Sequence, residues 1–306
     1  GGARMSLDVS QIIARVPQWT GVAHVEVTPL GGGITNQNFR VEIGSESFVL
    51  RLAGEDTDLL GINRQNEHAA NVAAARAGVA PEVVYFIEPE GYLVTRFIDG
   101  KPISVADMGS RENIRRVAEA LSKVHSMGSI PGLFSASRVV NTYTELGRRN
   151  GATFPDNFDW LLERKREIEG AQQQGTIMPR PCHNDLLNGN FLDDGAIWIL
   201  DWEYAGMGDV FFDLANFAVN HEFSDEQDHF LLGCYFGDAT DARFARLKQM
   251  KVMSDFREAM WGVVQSKLSK LDFDFQGYAR QHFERMTEAL NDPRWGKWLR
   301  EVVEYG

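Results

Sequence analysis

Residues 181–220 read PCHNDLLNGNFLDDGAIWILDWEYAGMGDVFFDLANFAVN, and this stretch decides how the rest of the chain is read. It carries His183, Asp185, Asn190 and Asp201, with Asn190 five residues after Asp185. Asp201 closes the apolar run Ala196-Ile197-Trp198-Ile199-Leu200, which reads as a strand. A short loop and a following strand end can aim one base and two oxygen ligands at a single point. Phosphoryl transfer to an alcohol needs such a set: a carboxylate to orient the hydroxyl and take its proton, and metal to offset developing charge. Asp185 fits the first role. Asn190 and Asp201 suit Mg²⁺, which takes a few protein oxygens together with phosphates and water. His183 reads as a stabiliser of the loop. Taken singly, Asn188-Gly189-Asn190 is also a plain turn and Asp201 also a helix cap. The combination H-x-D-x-x-x-x-N followed by an apolar strand and Asp is far more specific.

Upstream, residues 22–29 (VAHVEVTP), 38–43 (NFRVEI) and 47–52 (SFVLRL) read as strands, after a short helical pattern over 6–16 that Pro17 ends. Between the first two strands lies Leu30-Gly31-Gly32-Gly33-Ile34-Thr35-Asn36-Gln37. Such a hairpin can fold backbone amides over phosphates, or be a ligand-free turn. It is not a Walker A loop, because the Gly-Lys-Ser/Thr ending is missing. Arg51 alternates with Leu50 and Leu52, so it points to the opposite face from both. Residues 63–77 (NRQNEHAANVAAARA) form a helical pattern that ends at Gly78 and carries Glu67 early. Arg51 and Glu67 read either as a paired cation and carboxylate near nucleotide phosphates or as unrelated surface charges. Residues 81–87 and 92–98 complete five strands. The end of the last, Thr95, Arg96 and Phe97, can offer backbone groups to an adenine.

Beyond Arg111 the pattern turns helical. Apolar residues at 114, 117, 118, 121 and 124 make a stripe over 112–125. Residues 131–158 read as loop-rich with a helical piece near 142–149, and 158–174 as a charged helix. An α+β chain with a boundary near residue 98 is expected: a small antiparallel β-rich part with one main helix over 1–98, and a larger, mainly helical part over 99–306.

Composition narrows the function classes. The chain has 306 residues, 43% hydrophobic and 24% charged, as in ordinary globular proteins. Its net charge of −12 argues against nonspecific nucleic-acid binding, which needs clustered Lys and Arg. Cys182 and Cys234 are the two cysteines and form no C-x-x-C pair, so neither a disulfide framework nor a thiolate zinc site is expected. No run of about 18 apolar residues suggests a membrane span. No basic-then-apolar leader pattern is evident, so a cytoplasmic protein is expected. Cys182 and His183 are adjacent and face opposite ways in an extended segment, a poor nucleophile–base pair. The seven histidines show no H-E-x-x-H spacing.

These residues resemble the choline/ethanolamine kinase family, within the aminoglycoside-phosphotransferase-like enzymes of two-lobed, protein-kinase-like fold. HNDLLNGN at 183–190 and Asp201 match the wider group. The narrower family is matched by 47–52 with arginine for the usual kinase lysine, LDWEYAG at 200–206, FDLAN at 212–216 and MWGVVQSKLSKLDFDFQGYARQHFERM at 260–286. The resemblance implies ATP and Mg²⁺ dependence, Asp185 as base, Asn190 and Asp201 on the metal, Arg51 at the phosphates supported by Glu67, and Asn36 nearby. It further implies an acceptor pocket of Tyr204, Trp261, Phe275 and Tyr278 for a small cationic amino alcohol such as choline or ethanolamine. Ring faces favour cations by about 0.5–2 kcal/mol each. Without the resemblance, Trp261 and Tyr278 read as core aromatics. Three positions depart from choline-specific members: Val264 for a second tryptophan, Phe275 for a tyrosine and Asn220 for a glutamate. Another alcohol (an aminoglycoside or thiamine) and a nucleotide-binding pseudokinase module are the alternatives.

Overall fold

The computed structural model describes residues 8–31, 35–54 and 57–301. Five strands, β1 (Glu26–Leu30), β2 (Gln37–Ile43), β3 (Glu46–Leu52), β4 (Val83–Ile87) and β5 (Tyr92–Arg96), form one antiparallel sheet in the order β1-β2-β3-β5-β4. The alternation of strand side chains assigns its two faces. Phe48, Leu50, Leu52, Tyr92 and Val94 are buried together with Ile12, Ile13, Val16 and Trp19 from α1 (Val9–Ile13) and the turn after it. The alternate residues Val49, Arg51, Leu93 and Thr95 face the opposite side, towards the helical part of the chain. β1 starts later than the sequence predicts because the Val22 amide turns back to the Trp19 carbonyl. Pro29 lies within β1, where an edge position leaves its missing N–H without cost.

Helix α2 (Arg64–Arg76) is capped by Asn63, whose side chain accepts the Asn66 amide, and ends before Gly78 at φ +80°. Its small buried residues Ala70 and Ala74 join the helical core rather than the sheet's covered face. That core is built by α4 (Arg111–His125), which follows the short α3 (Val105–Met108), and by α5 (Ala136–Arg149), α6 (Phe158–Gln172), α7 (Val210–Asn220), α8 (Asp225–Phe236), α9 (Asp241–Leu268), α10 (Phe275–Leu290) and α11 (Trp295–Arg300). The 28-residue α9 is the axle, packed on α5, α7, α8, α10 and α11. Helix α5 starts well before the predicted piece at 142. Ser135 caps it, and Ala136, Val140, Tyr143, Thr144 and Gly147 bury a continuous stripe. Two small ladders, β6 (Arg180–Cys182) with β9 (Gly206–Gly208) and β7 (Phe191–Asp193) with β8 (Ile197–Ile199), lie between α6 and α7 in sequence. No helix among the described residues is long and apolar enough to cross a membrane.

Candidate active site

The cleft side of the sheet and the β6–β9 region enclose a cavity of about 550 Å³. Asp185, Asn190, Asp201, Arg51, Tyr204, Trp261 and Tyr278 all line it. The loop 183–187 is fixed from behind. Backbone amides of His183 and Asn184 donate to Oδ2 and Oδ1 of Asp213 at 2.9 and 2.8 Å, and the Leu186 amide donates to Oδ1 of Asn216. Asp213 is in turn bound by His125 Nε2 at 2.8 Å, and His125 Nδ1 lies 2.7 Å from the Tyr235 hydroxyl. Burial alone would raise the Asp213 pKa, but the His125 bond and the loop amides hold it below the ordinary value. Cys182 lies with His125 and Asp213 in one buried group, yet burial pushes its thiol well up, and Asp213 is already committed to the loop.

His183 is not among the residues that line the cleft. Its Nε2 donates to the Leu200 carbonyl at 2.9 Å and its Nδ1 accepts the Asp185 amide at 3.1 Å. Burial lowers its pKa, which favours the neutral ring these two bonds require. Asn184, at φ +69°, is one of the residue types that tolerate left-handed backbone, and its Nδ2 donates to the Tyr204 carbonyl at 3.0 Å. The result is that Asp185 points into the cleft. Burial raises its pKa well above the usual range, with Arg257 opposing the rise.

Asn190 Nδ2 donates to the Asp185 carbonyl at 2.8 Å, leaving its Oδ1 to a ligand. Asp201, also left-handed at φ +61°, follows β8, and Arg51 Nη1 stands 3.9 Å from its Oδ1. Arg51 is paired with Glu67. Arg64, one turn earlier on α2, bonds Glu67 at 2.8 Å and Glu203 at 3.3 Å. Three carboxylates (Glu67, Asp201, Glu203) therefore meet two guanidiniums (Arg51, Arg64). Burial and then Asp201 push Glu203 up to about 7, and burial raises Asp201 against the pull of Arg51. An uncompensated negative charge among oxygen donors is the environment a hard divalent cation fits.

On the sheet side, Thr95, Arg96 and Phe97 border the cleft, but the Arg96 guanidinium turns away to Glu82 and Glu46 at 2.9 and 3.2 Å. Gly32, Gly33 and Ile34 of the glycine-rich hairpin lie outside the described residues. Their neighbours Leu30, Gly31 and Thr35 border the cleft. Asn36 donates to Glu203 and accepts the Gly54 amide at 3.3 Å, so it fastens the hairpin to the segment after β8.

At the other end, the Trp261 and Tyr278 rings meet edge to face at 5.5 Å. Two expected pocket residues are elsewhere. Phe275 is buried behind Trp261, with ring centroids 5.7 Å apart, because the start of α10 packs closely on Gly262 of α9. Asn220, at the end of α7, reaches back to the Leu186 carbonyl at 3.4 Å and braces the loop instead. Val264 is fully packed in the core. The side chain one turn before Trp261 that does border the cleft is Glu258, preceded by Arg257, and neither was singled out from sequence. Their signal was available: Glu258 and Trp261 are three apart on a helix and share a face. Arg257 Nη1 donates to the Asn184 carbonyl at 3.0 Å and to Glu258 at 2.8 Å, and Glu258 Oε2 accepts the Tyr278 hydroxyl at 2.6 Å. Glu203, Arg64 and Asp213 were likewise missed. Asp213 and Asn216 stand i, i+3 in FDLAN, a buried polar pair on a mostly apolar helix.

Comparison with known proteins agrees with this geometry. Residues 26–247 match the model of the phosphotransferase enzyme family. A solved choline/ethanolamine kinase family protein from Mesorhizobium loti is 31% identical, covers 95% of this chain and 96% of its own, and superposes with a TM-score of 0.83. Protein LicA from Haemophilus influenzae is 27% identical over 85% of this chain and 79% of its own length. Human ethanolamine kinase 2 is 26% identical over 84% of this chain and 75% of its own length. A two-lobed, protein-kinase-like fold, a cleft holding an Asp–Asn–Asp set and this likeness lead to one conclusion: the chain belongs to the choline/ethanolamine kinase family of phosphotransferase enzymes.

Proposed function

We propose that this protein transfers the γ-phosphoryl group of ATP, with Mg²⁺, to the hydroxyl of a small cationic amino alcohol, choline or ethanolamine. The observation that carries the reading is the convergence of Asp185, Asn190, Asp201 and Arg51 on one cleft that also exposes Trp261 and Tyr278. In this reading residues 1–98 are the nucleotide lobe and 99–306 the catalytic and acceptor lobe. Arg51, held by Glu67, meets the nucleotide phosphates, and backbone groups of Thr95 to Phe97 meet the adenine. Asn190 and Asp201 would hold the metal. When bound, Mg²⁺ would offset the negative charge of the transferring phosphoryl group.

Asp185 accepts the proton of the acceptor hydroxyl as the new O–P bond forms and the bond to the departing nucleotide breaks. Its raised pKa makes it a better proton acceptor than an exposed carboxylate, provided it is ionised. Arg257 favours that ionised form. Trp261 and Tyr278 present aromatic surface to the cationic head. Names of relatives support both acceptors: the solved relative is a choline/ethanolamine kinase family protein and the human one an ethanolamine kinase. The test is to incubate the protein with ATP and a panel of choline, ethanolamine, an aminoglycoside and thiamine, with and without a chelator, and to identify phosphorylated products. O-phosphorylated choline or ethanolamine, abolished by chelation, is expected. Phosphorylation of the aminoglycoside or thiamine alone, or of nothing, would overturn the reading.

A further inference from the structure

Glu258 is the acidic wall of the acceptor end of the cleft. It is 4% exposed yet borders the cavity, one helical turn from Trp261 on α9. Its carboxylate accepts one bond on each oxygen, from Arg257 Nη1 at 2.8 Å and from the Tyr278 hydroxyl at 2.6 Å. A carboxylate offers about four lone-pair sites, so both oxygens retain capacity. Nearby, Asp185 and Glu258 oppose the single charge of Arg257, whose Nη1 is 3.5 Å from Asp185. The aromatic surface is correspondingly small. One face of Tyr204 is covered by the Arg257 guanidinium at 4.4 Å, and Phe275 sits behind Trp261. That leaves Trp261 and Tyr278, set at 70° to one another.

A quaternary ammonium has no N–H and depends on ring faces to replace its water. An ammonium that keeps N–H groups donates charge-assisted hydrogen bonds to a carboxylate at about 2.7–2.9 Å, where methyl groups would intervene. We propose that Glu258 makes this enzyme selective for amino alcohols with N–H-bearing nitrogen, of the ethanolamine type, over the quaternary choline type. The proposal rests on the amino-alcohol reading given above.

The experiment measures kcat/KM for ethanolamine and its mono-, di- and trimethylated forms, with wild type and Glu258→Gln. In wild type the value holds while the nitrogen keeps an N–H and drops by about tenfold or more at the trimethylated form, the ratio that one such bond of about 1.4 kcal/mol supports. Glu258→Gln keeps an acceptor for Tyr278 but loses the charge. It raises KM for ethanolamine more than it lowers kcat, and flattens the series. Choline equal to or better than ethanolamine with wild type, or an unchanged drop in Glu258→Gln, overturns the proposal while leaving the amino-alcohol reading in place. No turnover of any member overturns both.

Discussion

Nη1 of Arg257 lies 3.5 Å from Oδ1 of Asp185 and donates to the carbonyl oxygen of Asn184 at 3.0 Å. A cation from the long central helix is thus fixed both to the backbone of the 183–187 loop and beside its carboxylate. Arg257 is almost fully buried, so water screens this interaction little.

The relationship predicts a pH effect. Burial raises the Asp185 pKa and Arg257 opposes it, and Asp185 must be ionised to act as the proposed base. Activity therefore falls as pH drops through a pKa above the ordinary carboxylate value. Without the guanidinium that pKa climbs further, so Arg257→Met shifts the acid limb of the kcat–pH profile to higher pH, with partial recovery on the alkaline side. An acid limb that stays in place or moves down contradicts the assignment.

Arg51 and Glu67 form a pair in which each side chain is almost fully enclosed. Arg51→Met leaves Glu67 beside Asp201 and Glu203 with less compensation and removes the proposed phosphate contact. KM for ATP is expected to rise about 10- to 100-fold, as loss of a charged hydrogen bond of roughly 1.5–3 kcal/mol implies. KM for the acceptor changes far less. Glu67→Gln has the same direction, and the double variant loses less than the sum, because the two act as one unit. Steady-state kinetics with both substrates check this.

Asp213 holds two amides of the 183–187 loop and the His125 ring. Its pKa is lower in the folded protein than its ordinary 3.8, since burial is outweighed by these donors. A depressed carboxylate contributes stability that is fully present above the unfolded pKa and lost as pH falls through the folded one. Asp213→Asn is expected to lower stability at pH 7 by about 1–3 kcal/mol, with the deficit relative to wild type shrinking towards pH 3. Loosening the loop also lowers kcat more than it alters KM for ATP. Denaturant unfolding across pH, together with kinetics at pH 7, reads both effects.

Sequence carried the strands and the helices α2, α4 and α6 well, because their patterns are local, whereas α7 to α11 were legible only as a mainly helical remainder. The alternation around Arg51 and the small-residue stripe of α2 needed no partner to be legible. The start of α5 was hidden by β-branched and polar residues, and its stripe 136-140-143-144-147 is helical mainly because α9 packs on it. At the site, residues that share a short motif, Asp185, Asn190 and Asp201, border one cleft. Arg257 and Glu258 were not legible, because they reach the cleft from a helix more than seventy residues after Asp185 and look like ordinary helical charges. Phe275 and Asn220 show the converse: position in a motif placed them at the pocket, while packing on Gly262 and a bond to the Leu186 carbonyl place them behind it.

The most direct measurement follows ATP and ethanolamine by phosphorus NMR with wild type and Asp185→Asn, the variant that keeps size and polarity but cannot take the proton. The expected result is O-phosphoethanolamine from wild type, a kcat about 10²- to 10⁴-fold lower in the variant, and nearly the same KM for ATP. Formation of that product by Asp185→Asn at the wild-type rate, or its absence with wild type, would contradict it.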